Sequence, residues 1–157
     1  MNPEPSCAGL PDPVQIRETA EAYYRNKDFY CSEAIVRTIN DAFSLGYPDS
    51  IIKAASGFPI GIGGSGCTCG AVTGGVMALG MVFGRTEPGD PKVIRCMSLA
   101  RELIEQFEER HKVSCCRVLT NGMLLGSPDH MEQCVALTGE VAEETAKIII
   151  REMNTSR

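Results

Sequence analysis

The sequence predicts an all-α fold, a compact bundle of about six to seven helices around a central glycine-rich apolar helix. Three observations predict it. Apolar residues recur at helical spacing through most of the chain. Capping residues and prolines stand ahead of these runs, with glycines behind several of them. No segment alternates convincingly in the manner of a strand.

With 157 residues, 43% of them hydrophobic and 22% charged, the chain can bury one core without help from crosslinks. A single helical domain is expected over residues 13–157. Residues 1–12 hold three prolines and few apolar side chains, and are expected as a flexible arm that carries Cys7.

The first helix begins at Pro13 behind the N-cap candidate Asp12, and Ile16, Ala20, Tyr23 and Tyr24 keep helical spacing to about Lys27. Ser32 is the expected cap of a second helix with Ile35, Val36, Ile39 and Phe43 on one face, stopped by Gly46 before Tyr47-Pro48. A short helix from about Asp49 to Ser56 leads into the glycine-rich stretch Gly61-Ile62-Gly63-Gly64-Ser65-Gly66, which is expected as irregular structure. The next helix, about Cys69 to Phe83, is apolar nearly all round and therefore central. Pro91 opens a long amphipathic helix to about His111, with Val93, Ile94, Met97, Leu103, Ile104 and Phe107 inward. Cys115 to Leu119 reads as one helical turn, and Asp129 caps a final helix to about Met153.

A formal charge of −5 without a Lys/Arg cluster gives no footprint for nucleic acid or an anionic membrane surface. The longest apolar run, Ala71 to Phe83, falls short of the roughly 18–20 residues of a membrane span. The N-terminus lacks the basic and apolar regions of a secretory signal, so the expected location is cytoplasmic. In that reducing compartment eight cysteines point to metal ligands or catalytic thiols rather than to a disulfide scaffold.

Cys31, Cys67, Cys69, Cys115, Cys116 and Cys134 all fall at or near predicted helix starts, where the helix dipole favours thiolate. No Cys-x-x-Cys pair or ferredoxin run is present, so any metal site must be assembled from distant segments. Each close pair, Cys67/Cys69 and Cys115/Cys116, can serve as a double ligand, form a strained disulfide, or pair a ligand with a buried neighbour. His111 with Cys115, and His130 with Cys134, share the i, i+4 spacing of one helical face, although histidines among charged residues are more often surface groups. Cys96 is expected in the core and Cys7 as incidental.

The spacing Gly61-x-Gly63-x-x-Gly66 also spells a dinucleotide fingerprint, but no strand precedes it. The glycines are instead expected to expose backbone N–H groups to a bound anionic group.

The segment Gly63 to Gly74, with Cys69-Gly70-Ala71-Val72-Thr73-Gly74 at its centre, resembles the redox-active C_GCAxxG_C_C family. A similar domain occurs in a split-Soret haem protein that also holds an iron centre. The resemblance implies four marked cysteines. Cys69 opens the central segment, Cys31 is the first, Cys116 the third with Cys115 one residue away, and Cys134 the fourth. No Cys-x-x-Cys-His is present, so covalent haem is not implied.

The leading expectation is a redox or electron-transfer protein whose Cys31, Cys69, Cys116 and Cys134 bind an iron–sulfur cluster, with Cys67 or Cys115 as an additional ligand or thiol. A metal-free thiol–disulfide protein with Cys69 as nucleophile, and a zinc-stabilised structural module, are the alternatives. The implied partner is another redox protein, and the glycine-rich helix offers itself to a homodimer. No acid/base pair marks a hydrolytic enzyme.

Overall fold

The computed structural model describes residues 9–156, so Cys7 and most of the expected arm lie outside the described residues. Seven helices are present among them: α1 (Pro13–Arg25), α2 (Cys31–Ala42), α3 (Ser50–Ala55), α4 (Gly70–Phe83), α5 (Lys92–His111), α6 (Cys116–Leu119) and α7 (Pro128–Thr155). The all-α expectation holds. The one β-type contact among the described residues is an isolated antiparallel bridge between Thr68 and Cys115.

Local chemistry sets the ends. Asp12 caps α1 by accepting the Val14 N–H at 2.9 Å. The second helix starts two residues earlier than a Ser32 cap would set. Tyr30 is the N-cap, Cys31 is the first helical residue, and the Glu33 carboxylate reaches back to the Tyr30 N–H at 2.9 Å. Ser32 is instead buried, its hydroxyl donating to the Ala55 carbonyl at 2.8 Å. The last helix is likewise capped by Ser127 ahead of Pro128, not by Asp129.

The apolar helix α4 sits centrally and touches α2, α5 and α7, while α1 lies along α7. Close approach depends on glycine. A Cβ at Gly74 would stand 2.7 Å from the Ser32 Cα, and one at Gly75 would stand 2.7 Å from the Leu103 side chain, so α2 and α5 pack almost onto the α4 backbone. The core is filled by Ile35, Ile39, Val72, Leu79, Leu103, Phe107, Val141 and Ile149, all buried, each contributing about 1.5–3 kcal/mol by leaving water.

The long amphipathic helix α5 differs from expectation at its start. Leu99, Leu103 and Phe107 form the inward stripe, whereas Ile94 and Met97 are 66% and 59% exposed. Cys96, expected in the core, is only partly buried. The reason is geometric: Arg95, one turn before Leu99 on the same stripe, lies over the Phe83 ring and pairs with Glu152, which puts Ile94 and Met97 on the outward side. No helix among the described residues is long and apolar enough to cross a membrane.

Candidate functional site

The stretch between α3 and α4 is a run of tight turns. Ile60, Gly61, Ile62, Gly63, Gly64 and Gly66 all have positive φ, the region that favours glycine and strains β-branched residues. At Gly61 a side chain is excluded outright, because a Cβ there would lie 2.5 Å from the Cys67 nitrogen and 2.8 Å from the Cys116 Cβ. The expected display of N–H groups is confined to Ile60, whose amide faces the Cys31 sulfur. The amides of residues 62–67 donate to carbonyls of residues 57–62, and this internal bonding is what lets the loop stay compact.

The turns deliver Cys67-Thr68-Cys69 alongside Ser114-Cys115-Cys116. Around the Thr68–Cys115 bridge, the Cys69 N–H donates to the Ser114 carbonyl at 2.7 Å and the Cys116 N–H to the Cys67 carbonyl at 2.6 Å. The close cysteine pairs are thereby sorted. Cys69 and Cys116 are buried and line a common cavity, while Cys67 is exposed and Cys115 is half-buried, its thiol donating to the Gly66 carbonyl at 3.2 Å.

That cavity gathers Cys31, Cys69, Cys116 and Cys134 from four segments. Cys31 opens α2, Cys69 is the N-cap of α4, Cys116 opens α6, and Cys134 lies in the second turn of α7. Ile60, Ala71, Leu119 and Leu137 complete an apolar wall around about 20 Å³, room for about one water. Gly70 permits the approach of α2, since a Cβ there would run into the Cys31 sulfur.

Burial raises the thiol pKa at all four positions, against the expectation that helix N-termini would favour thiolate. Cys31 is held well above its ordinary value by burial and by the neighbouring Cys69, despite backbone N–H groups of Ser32 and Ile60 that pull the other way. Burial pushes Cys69 up to about 11, and the Ala71 and Val72 amides at the start of α4 only partly offset it. Cys116 and Cys134 are raised chiefly by burial too. The helix-end donors are present as expected, but desolvation outweighs them.

Two further side chains belong to the site. Tyr24 is buried beside Cys134 and pulls that thiol's pKa down against the burial effect. His130 is 4% exposed. Its Nδ1 accepts the Gly126 N–H at 3.3 Å and its Nε2 lies 3.7 Å from the Cys134 sulfur. The i, i+4 spacing with Cys134 had marked His130, yet its charged neighbours favoured a surface position. Tyr24 carried no signal beyond its place on the apolar face of α1. The parallel pairing of His111 with Cys115 does not form: α5 ends at His111, and its Nε2 instead meets the Glu140 carboxylate at 2.8 Å.

Among the described residues, no three Cys, His, Asp or Glu side chains converge closely enough to hold a single metal ion.

Fold and site together define an all-helical protein built around a cysteine-lined centre. The profile of the family described as "Putative redox-active protein (C_GCAxxG_C_C)" matches residues 29–148, a span that includes all four of these cysteines, and the chain belongs to that family. No curated protein and no solved structure matches the chain.

Proposed function

We propose that the chain is an electron-transfer or redox protein that holds an iron–sulfur cluster through Cys31, Cys69, Cys116 and Cys134. The observation that carries this reading is that four cysteines, from four separated segments, line one small and largely apolar cavity.

Charge supports it. Thiols whose ionisation is opposed by burial are poor free nucleophiles, which weakens a metal-free mechanism with Cys69 as the attacking group. Bound iron supplies the positive charge that makes four buried thiolates tolerable. Four cysteine thiolates are the ligand set that an iron–sulfur cluster would take, and the same set would serve a tetrahedral zinc.

When bound, such a cluster takes up and returns electrons at a potential set by its surroundings. The chain's own residues do the tuning. The amides of Ala71 and Val72 face Cys69, those of Ser32 and Ile60 face Cys31, and Tyr24 and His130 face Cys134. Each is a fixed donor aimed at sulfur, placed to stabilise added negative charge. The wall of Ile60, Ala71, Leu119 and Leu137 limits water.

The test is anaerobic purification followed by measurement of iron, acid-labile sulfide and the visible spectrum on one sample. Iron with sulfide and a broad charge-transfer band supports the reading. Zinc without colour assigns the same thiols to a structural role. Metal-free protein after attempted reconstitution, with thiols that disappear on oxidation, assigns them to disulfide chemistry.

A further inference from the structure

Beside the thiol-lined cavity lies a second, larger cleft of about 480 Å³. Three residues, Tyr24, Ile60 and His130, line both spaces, so the cleft and the sulfurs are separated by one layer of side chains. The cleft is formed by the end of α1, the turn into α2, the strained residue Ile60 and the segment that leads into α7.

We propose that this cleft is the binding site for an uncharged, planar fused-ring electron carrier, of the shape shared by flavin and polycyclic quinone rings. Four observations point to that class. The volume falls within the range of roughly 300–1,000 Å³ typical of small-molecule sites, and it exceeds what one water or metal ion needs. The walls are aromatic and soft: Tyr24 and Tyr30 stand edge to face with centroids 6.1 Å apart, with Phe29, Leu125 and Met131 around them, surfaces that favour a flat π-system. The charged groups do not call for a charged ligand. Lys27 and Asp28 are an exposed pair of opposite sign at the rim, and the Glu33 carboxylate is already engaged by the Tyr30 N–H at 2.9 Å and the Ser56 hydroxyl at 2.6 Å. Finally, the shared wall places any ring in the cleft next to the sulfur-bearing centre, which is where an electron carrier must sit. The redox character of the ligand rests on the proposed function; the shape and neutrality of the ligand do not.

The experiment titrates riboflavin and, separately, a hydroxymethyl-substituted anthraquinone into the full chain, with and without reconstituted metal. Flavin fluorescence quenching and equilibrium dialysis read the binding, and iron and sulfide are measured on the same preparations. Saturable one-to-one binding of either ring is expected, and the ring that binds identifies the source. Leu125→Arg and Tyr30→Ala, both at exposed side chains of the cleft, are expected to weaken it at least tenfold, while Ile94→Ala on α5 leaves it unchanged. Absence of binding by both rings overturns the inference, and so does full affinity in Leu125→Arg. If iron and sulfide assemble but no ring binds, the cleft assignment alone fails. If a ring binds a chain that takes up no iron, the cluster assignment alone fails.

Discussion

The Nε2 atom of His130 lies 3.7 Å from the Cys134 sulfur, one turn further along α7, while its Nδ1 accepts the Gly126 N–H at 3.3 Å. A ring nitrogen that accepts an N–H carries no proton, so the imidazole proton sits on Nε2 and faces the sulfur. Long-range 1H–15N spectra of the metal-free protein are expected to show the Nε2–H tautomer, and a proton on Nδ1 would refute the arrangement. In reconstituted protein, His130→Leu is expected to have a more negative reduction potential than His130→Gln. The glutamine amide can still donate to sulfur, and such bonds stabilise the reduced, more negative centre.

The sorting of the cysteines gives a second expectation. Alanine at Cys31, Cys69, Cys116 or Cys134 is expected to abolish or strongly reduce bound iron and to lower the melting temperature of reconstituted protein, because a group bound by folded ligands stabilises the folded chain. Alanine at exposed Cys67 or partly buried Cys96 is expected to do neither. Stoichiometric iron retained by Cys69→Ala would remove that residue from the ligand set.

Two glycines of α4 predict opposite signs. Gly74→Ala drives a methyl to 2.7 Å from the Ser32 Cα, and an expected loss of about 1–3 kcal/mol follows from overpacking. Gly80→Ala meets nothing within 4 Å, and about 0.5–1 kcal/mol of stabilisation is expected from restricting the unfolded chain. Urea midpoints of the two variants check both.

Alkaline pH tests the buried thiols. In metal-free protein the folded state holds the Cys69 proton from the ordinary 9.0 up to about 11, and Cys31 shifts in the same direction. A raised folded-state pKa means the unfolded chain releases its protons first. The thiol contribution to stability is therefore complete below about 9 and is lost as pH rises towards about 11. Urea titrations across that range are expected to show the loss, and a smaller one in Cys69→Ala.

The turn before α4 stores strain that a single change releases. Ile62 is 44% exposed and has a φ of 65°, a conformation that costs a β-branched residue about 1–2 kcal/mol. Ile62→Gly is expected to raise the melting temperature, and an unchanged or lower value would show that the side chain's contacts outweigh the strain.

Periodicity made the helices legible, including the central position of α4, since an apolar run that is too short for a membrane has only the core to go to. It could not choose between the apolar stripes of α5. Ile94 and Met97 are as apolar as Leu99 and Leu103, and only the packed fold, with Arg95 rather than Ile94 turned towards Phe83 and Glu152, decides which is covered. The four cysteines of the cavity were named through the motif around Cys69, not through spacing, because residues 31, 69, 116 and 134 are brought together by packing. Burial of His130 and the place of Tyr24 beside Cys134 depend on the same packing, so local sequence held only the i, i+4 hint for one of them. The rule that helix starts favour thiolate failed for a physical reason: it describes a local field, and desolvation by the rest of the fold is larger.

The Thr68–Cys115 bridge has a further consequence. Three of the cavity's sulfurs stand on α2, α4 and α7, helices locked into the core, but Cys116 rides on α6, four residues long and held largely by backbone hydrogen bonds from Cys116 and Arg117 to Cys67 and Gly66. Of the four cysteines lining the cavity, Cys116 alone owes its place to a backbone splice between two loops and not to the packing of a long helix.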